Sequence, residues 1–362
     1  MSVQAGVTEA WINRIGTAVP KHDMHPEFVA FGRTLLPDEH SRTLFDRMAG
    51  MAGIAHRYAI FAPGPMPRAE ALDAEGFYRR GAFPSTAQRM ARFQAPALDL
   101  AQEAVDRLDL GPGERARITH LVVASCTGFA APGLDYRLMR AAGLAQAIER
   151  TMVGFMGCFA AVNALRLARH IVRSEPGARV LVVNIELCSL HLQEQWELAR
   201  MLSFLLFGDG ASAALVTADP EGLALGAFRT EVAPDTEGLI TWDIGDSGFE
   251  MHLSGQVPNQ IRGLIRTKGT ALLRALDVVE PAHWAVHGGG RTILDAVQEG
   301  FGLGPEALRH SRAVLRDFGN MSSATLMFVL GRILAGPPAP GPGIALAFGP
   351  GLTVESFAFR AA

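Results

Sequence analysis

Lysine, cysteine and long apolar segments are scarce in this chain. Lys21 and Lys268 are the only lysines among the 33 lysine and arginine residues, and the formal net charge is −3. That small charge creates no strong field for nucleic acid or an anionic membrane. No apolar run approaches the roughly 18 residues that cross a bilayer, and the N-terminus lacks the basic and apolar regions of a secretory signal. We therefore expect a cytoplasmic protein with no nucleic-acid partner and no membrane span.

The cysteines are too few for a disulfide framework. There are three of them, Cys126, Cys158 and Cys188, and an odd, small number is typical of free thiols in a reducing compartment. Free thiols are available for chemistry.

Strand-like and helix-like segments alternate from residue 118 onward. "ITHLVVASC" and "RVLVVNIE" are β-branched and apolar, as buried strands are, and each is followed by a helical pattern. Alternation of this kind predicts an α/β fold whose mostly parallel sheet is covered on both faces. The same alternation of strand-like and helix-like segments repeats after about Gly222. We therefore expect two similar halves, 1–220 and 221–362, joined in one compact unit.

Cys158 lies where a helical pattern begins, in "VGFMGCFAAVNALRLARHIV". The unpaired N–H groups and dipole of a helix N-terminus lower the pKa of a thiol, and a thiolate can hold an acyl group as a thioester. The sequence thus predicts a nucleophile. A buried structural cysteine remains the alternative for this position.

Two further residues end or begin predicted elements in the second half. His287 follows an apolar strand and precedes three glycines, which permit close approach of backbone or substrate. Asn320 follows Gly319 and opens an apolar helix. A core or surface histidine and a helix N-cap are the alternatives. Only the fold can bring these two residues to Cys158.

Five motifs in order carry a family resemblance. They are "GCFA" at Cys158, "LFGDGASAAL" with Phe207, "WAVHGGG" with His287, "FGNMSSAT" with Asn320 and "FGPGLTVE" near the C-terminus. Together they resemble the type III polyketide synthases, the chalcone-synthase-like branch of the thiolase superfamily. The resemblance implies a thiolase-like fold, layered αβαβα, with the nucleophile in the first half and histidine and asparagine in the second. It also implies a homodimer.

The resemblance implies catalytic roles for three residues. Cys158, paired with His287, would take an acyl group from a starter acyl-CoA. His287 and Asn320 would hydrogen-bond the thioester oxygen of malonyl-CoA and stabilise the enolate left by decarboxylation. The enolate carbon would extend the acyl chain over several cycles before ring closure. This chemistry needs no metal or redox cofactor, in keeping with the absence of CxxC pairs, HExxH and a P-loop.

Departures from the plant pattern bear on the substrate. In the resemblance, Met251 replaces a phenylalanine of the plant enzymes' pocket, and Ala131 replaces a methionine that reaches across their dimer interface. Three pocket threonines of the plant enzymes are replaced by Cys126, Cys188 and His191. Methionine is flexible and alanine small, so we expect a roomier chamber, an aliphatic starter and alkylpyrone or alkylresorcinol products. The residues that the resemblance assigns to substrate binding are Phe207, Met251, Cys126, Cys188, His191, Ala131, Ser322, Gly349, Pro350 and Gly351. Only Arg47 matches the basic cluster that holds CoA, and Ala347 replaces the first glycine of the "GFGPG" loop.

Three alternatives to that function stay open. Cys126 also resembles tetrahydroxynaphthalene synthases, which are primed by malonyl-CoA. A β-ketoacyl-carrier-protein synthase III would use the same three catalytic residues for a single condensation. A cysteine α/β-hydrolase is more distant, because its histidine would come last in the chain.

Overall fold

The computed structural model describes residues 8–64, 70–336 and 340–361. Strands in these ranges are β1 (Ala10–Ala18), β2 (His22–Asp23), β3 (Tyr58–Ala59), β4 (His120–Ser125), β5 (Glu149–Gly154), β6 (Val180–Leu187), β7 (Asp209–Thr217), β8 (Leu223–Val232), β9 (Ile240–Gly245), β10 (Gly248–Leu253), β11 (His283–Val286), β12 (Gly341–Gly349) and β13 (Thr353–Ala361). Helices are α1 (His25–Leu35), α2 (Glu39–Met51), α3 (Thr86–Asp106), α4 (Pro112–Arg115), α5 (Leu134–Ala141), α6 (Ala160–Ser174), α7 (Ser203–Leu206), α8 (Val257–Ala275), α9 (Arg291–Phe301), α10 (Arg309–Phe318) and α11 (Ala324–Ala335). None of the helices within the described ranges is both long and apolar enough to span a membrane.

Nine strands form one sheet in the order β11-β12-β13-β8-β1-β7-β6-β4-β5. Each half contributes the same local pattern: a parallel pair followed by two antiparallel neighbours. In the first half β4 is parallel to β6, and β7 and β1 follow antiparallel. In the second half β11 is parallel to β12, and β13 and β8 follow antiparallel. The halves meet where β1 pairs with β8.

The prediction of a mostly parallel sheet is wrong. Five of the eight strand pairs in this sheet are antiparallel and three are parallel. For one of the antiparallel pairs, β12 and β13, the reason is the length of the connection, because a parallel crossover needs a dozen or more residues. Only the 3₁₀ turn Pro350–Leu352 separates β12 from β13, so those strands must run antiparallel.

Helices cover the strands in layers. A central core packs α6 and α11 between the inward faces of both halves, with Ala124 of β4 and Ala347 of β12 among its members. A second core lies between the first half and α1, α3 and α5, and a third between the second half and α8 and α9. Because neighbouring residues of a strand face opposite sides, β4 and β12 each contribute to the central core and to an outer one. This is the expected five-layer αβαβα arrangement.

Candidate active site

Cys158 lies at the junction of β5 and α6, just before the helix. The helix begins at Ala160 with Phe159 as its N-cap, so the thiol sits outside the first turn in which the sequence placed it. The preceding Gly157 has φ +84°, and a Cβ there would lie 2.3 Å from Pro350 Cδ. Glycine is therefore required beside the thiol, because it permits both the left-handed backbone and the close approach of the Pro350 ring.

The surroundings of the Cys158 thiol disfavour its charged form. Burial raises its pKa to about 12, and the nearby Glu186 carboxylate adds to the rise, while a hydrogen bond from Ser322 opposes it. The expectation that a helix N-terminus lowers this pKa is wrong. Desolvation of the charged form outweighs the helix dipole, although Cys158 is partly exposed where it borders a chamber.

Asn320 and Ser322 form a tight turn ahead of α11. The backbone N–H of Ser322 donates to Asn320 Oδ1 at 2.9 Å, and Ser322 has φ +47°. A non-glycine residue in this left-handed region is strained, and such strain is concentrated at functional sites. The N-cap of α11 is Ser323, so the alternative of Asn320 as helix cap is wrong. The turn directs the Ser322 side chain to Cys158 and leaves the Asn320 amide group facing Gly289.

His287 directly follows β11 and is 1% exposed. Burial lowers its pKa to about 4, so the imidazole is neutral. Within the described ranges, neither of its ring nitrogens has a hydrogen-bond partner. A buried polar atom without a partner costs about 1–3 kcal/mol, and such an atom is available to hydrogen-bond a substrate.

The three motifs meet in space. Asn320 Nδ2 donates to the carbonyl of Gly289 at 3.3 Å, and Gly289 N donates to the carbonyl of His287 at 3.0 Å. Phe207 forms a parallel β-bridge with Asn320. A chain of contacts therefore runs from Cys158 through Ser322 and Asn320 to the His287 segment. Among the described residues, no hydrogen bond joins His287 to Cys158, because neither ring nitrogen of His287 has a partner there.

A chamber of about 80 Å³ opens at Cys158. Most of the predicted substrate-binding residues line it: Phe207, Met251, Cys126, Cys188, His191, Ser322 and Pro350. All three cysteines thus border one space. The pKa values of Cys126 and Cys188 are raised by burial, as for Cys158, so both are neutral thiols.

Aromatic rings that sequence reasoning overlooked make this chamber small. Trp242 of β9 pairs in register with Met251 of β10, lines the chamber, and donates from Nε1 to the Cys126 carbonyl at 2.9 Å. An apolar cavity that admits benzene measures about 150 Å³, roughly twice this volume. The expectation that the chamber is roomier than in the plant enzymes stays a prediction. Trp242 and His191 are the large rings that line the chamber together with Phe207.

His191 is a chamber residue with both ring nitrogens satisfied. Nδ1 accepts from Phe249 N at 3.0 Å, and Nε2 lies 2.7 Å from the Thr127 carbonyl. Because Nδ1 is an acceptor, Nε2 carries the proton and donates to Thr127. Burial lowers the pKa of His191 to about 3, and its ring stacks on Phe249 with centroids 4.1 Å apart. His191 therefore holds β10, and with it Met251, against the 3₁₀ turn Cys188–His191.

The chamber lining also includes polar side chains, which are those of Gln193, Gln195, Arg200 and Glu250. Arg200 also forms an ion pair with Glu197 at 3.3 Å, in which both side chains are more than half exposed. The chamber therefore offers hydrogen-bonding groups and a cation, which the sequence did not reveal.

Glu186 is a fully buried carboxyl behind the chamber that the sequence analysis also missed. It accepts hydrogen bonds from Cys126 N at 3.0 Å, Thr127 Oγ1 at 2.9 Å and Ser323 Oγ at 2.5 Å. Burial raises its pKa to about 7 against the effect of these donors. The sequence signal for a functional residue here was the position of Glu186 as the last polar residue of the buried strand β6. Glu186 ties the ends of β4, β6 and α11 together.

The remaining predicted positions lie around or outside the chamber. Gly349 packs on the nucleophile segment, since a Cβ there would lie 2.7 Å from Phe159 Cδ1. Gly351 has φ +67°, whereas Ala347 keeps a regular strand conformation opposite Glu355. Ala131 and Arg47 are exposed, and neither is among the described chamber residues. Near Arg47, Arg291 Nη1 donates to the Met51 carbonyl at 3.2 Å, which places a second guanidinium at the end of α2.

Sequence and structure comparisons agree on one family. The profile for chalcone and stilbene synthases, N-terminal domain, matches residues 2–220, and that for the C-terminal domain matches residues 225–362. The structure is similar to PKS-I of the brown alga Ectocarpus siliculosus, with 29% identity, a TM-score of 0.88, and 99% and 100% of the two chains covered. A type III pentaketide synthase of Neurospora crassa is 25% identical, with a TM-score of 0.83 over 98% of this chain and 100% of that chain. The C-terminal type III polyketide synthase domain of Steely1 from Dictyostelium shares the fold, with 24% identity, a TM-score of 0.89, and coverage of 98% and 99%.

Proposed function

The chain belongs to the chalcone and stilbene synthase family of type III polyketide synthases, which are acyltransferases, and we propose that Cys158 carries the growing chain. The supporting observation is the chamber lined by Cys158 and by Ser322, whose backbone N–H donates to Asn320 Oδ1. Membership in this family removes the α/β-hydrolase and the carrier-protein synthase from the alternatives.

The first step loads the starter onto sulfur. The Cys158 thiol attacks the thioester carbonyl of an acyl-CoA, its proton passes to His287, and CoA leaves as its thiol after taking that proton. Both side chains are neutral in the free protein, given a thiol pKa of about 12 and an imidazole pKa of about 4. The proton therefore leaves sulfur while the C–S bond forms, since a preformed thiolate–imidazolium pair is unfavourable in this buried setting.

The second step makes and uses an enolate. Malonyl-CoA loses carbon dioxide, and the negative charge that develops on its thioester oxygen accepts hydrogen bonds from His287 and Asn320. The unpaired ring nitrogens of His287 support this role, because a neutral imidazole has one N–H to donate. The enolate carbon attacks the acyl carbonyl on Cys158, the sulfur leaves, and the chain returns to CoA one ketide unit longer.

We propose a short aliphatic acyl group as the starter, giving short-chain alkylpyrone or alkylresorcinol products. Met251, Leu253 and Ile240 offer apolar contact, but about 80 Å³ does not hold a long chain. Trp242 limits the size of the starter in this proposal, because it pairs with Met251 across the strands and both residues line the chamber.

Malonyl-CoA is the second candidate for the starter. Cys126 and Arg200 both line the chamber, and the Arg200 guanidinium would pair with the carboxylate of a malonyl group. This priming would give a tetrahydroxynaphthalene-type product.

We further propose a homodimer that works in the cytoplasm. β5 ends the sheet, and its side chains are mostly exposed. Met152 of β5 and Phe129 are each 37% exposed, and an open strand edge of this kind favours pairing with a second copy. The three thiols are free, which suits a reducing compartment.

Incubation with labelled malonyl-CoA and acyl-CoAs from acetyl to stearoyl, without carrier protein, tests the function. We expect products of two or more condensations from the short starters, detected by mass spectrometry. Malonyl-CoA alone giving the same yield would favour malonyl priming. Products of a single condensation, or none from any starter, would contradict the proposal.

A further inference from the structure

A second cavity lies outside the reaction chamber. It measures about 270 Å³ and lies between α8 and the outward face of the second half of the sheet. Its walls are apolar: Ile265 and Leu272 from α8, Phe301 from the end of α9, and Leu346, Phe348 and Val354 from β12 and β13. In the same measure it is more than three times the volume of the chamber at Cys158.

The strand β12 separates the two spaces. Ala345 and Ala347 face the central core, whereas Leu346 and Phe348 point outward. An occupant of the outer cavity therefore cannot reach Cys158 directly.

Charged side chains surround the opening of the outer cavity. Lys268 and Arg229 provide two cations, and Glu231 provides one anion. Lys268 Nζ pairs with Glu231 Oε1, and about half of the Lys268 side chain is exposed. The Arg229 side chain donates a hydrogen bond to the Phe228 carbonyl. Exposed pairs of this kind contribute little and exchange readily. The opening thus keeps an excess of positive charge above an apolar space.

We propose that this outer cavity binds a medium-chain fatty acid as its anion. The alkyl chain would lie between α8 and β12, gaining about 0.8 kcal/mol for each methylene removed from water. The carboxylate would remain at the opening, where it takes the place of Glu231 on Lys268 or pairs with Arg229. Phe348 forms part of the cavity wall and directly precedes the Gly349–Gly351 loop, so a bound acid contacts the strand that carries that loop.

Isothermal titration calorimetry of the full chain with decanoate and with decanol tests the proposal. We expect one molecule of decanoate per chain. Lys268→Gln should weaken decanoate about fivefold, the size of an exposed charge pair, and leave decanol unchanged. Lys21→Gln removes the other lysine of the chain, and it should change neither affinity. Ala271→Phe, which places a ring on the cavity lining, should weaken both ligands at least tenfold.

A second measurement locates the ligand. Trp284 packs against Phe301 with centroids 4.8 Å apart, so a decanoate brominated at its far end should quench Trp284. Quenching should fall in Trp284→Phe and persist in Trp242→Phe. Loss of quenching in Trp242→Phe would place the acid in the reaction chamber and overturn the proposal. Absence of decanoate binding would also overturn it, as would equal affinity in Lys268→Gln, Ala271→Phe and the parent. Thermal unfolding verifies that each variant is folded. None of these outcomes bears on condensation at Cys158.

Discussion

Replacing Trp242 with alanine should lengthen the starters that the enzyme accepts. The indole lines a chamber of about 80 Å³ at Cys158 and is opposite Met251 in the β9–β10 hairpin. Its removal merges the volume of the ring with the chamber and leaves the Cys126 carbonyl without its donor. Each further methylene that becomes buried contributes about 0.8 kcal/mol, which is about a fourfold gain in kcat/KM per methylene until the enlarged space is filled.

Stability should fall as selectivity shifts. Large-to-small changes at buried aromatic residues cost about 3–5 kcal/mol, and the lost hydrogen bond adds about 1 kcal/mol. Because Trp242 is only half-buried, the lower end of the range is expected, and denaturant unfolding measures it.

The assay is competition among acyl-CoAs of increasing length, with products quantified by mass spectrometry. Trp196→Ala is the matched control, because Trp196 is 65% exposed and is not among the described chamber residues. A chain-length profile for Trp242→Ala identical to that of Trp196→Ala, in protein shown to be folded, would refute the argument that Trp242 limits the chamber.

Three more predictions follow from the chamber residues. Met251→Phe should shorten the accepted starter, and an unchanged product profile would mean that Met251 does not limit chain length. Alkylation of Cys158 by iodoacetamide should keep rising with pH beyond about 9, because the thiol pKa is raised to about 12; a plateau near neutral pH would contradict this. The pKa of His191 is lowered to about 3, so the unfolded state binds its proton first as the pH falls below about 6.5. The parent should therefore lose about 2 kcal/mol more than His191→Gln between pH 8 and pH 5, measured by urea unfolding, and equal losses would exclude the buried neutral form.

Local sequence patterns marked three candidate chemical groups, and the family resemblance assigned them their roles. Cys158, His287 and Asn320 each stand where an element begins or ends, and such junctions are visible as a change from apolar periodicity to glycine and polar residues. The Ser322 hydroxyl and the Pro350 ring fell within the same motifs, so the predicted and observed lining of the chamber largely coincide.

Tertiary packing decided what the sequence could not. The thiol pKa depends on which atoms surround the sulfur, and the helix pattern at Cys158 contains no such information. The size of the chamber depends on Trp242, whose neighbour Met251 is set by the register of the β9–β10 hairpin. The turn "GDSG" at 245–248 was the available signal for that hairpin, and with it the pairing of Trp242 and Met251 could have been predicted.

The mixed sheet illustrates a third limit. Apolar strands separated by helices favour parallel pairing on average, but β6 and β7 are antiparallel neighbours although a long segment with short helices lies between them. Residues of that segment line the chamber, and the spacing of apolar residues in the sequence does not predict the path of such a segment.

Acyl transfer to Cys158 is the central claim, and intact-protein mass spectrometry tests it most directly. After brief incubation with acetyl-CoA and no malonyl-CoA, we expect a mass increase of one acetyl group, found on the peptide that contains Cys158 and absent in Cys158→Ala. An acetyl group on the Cys126 or Cys188 peptide, or full condensation activity in Cys158→Ala, would contradict the account.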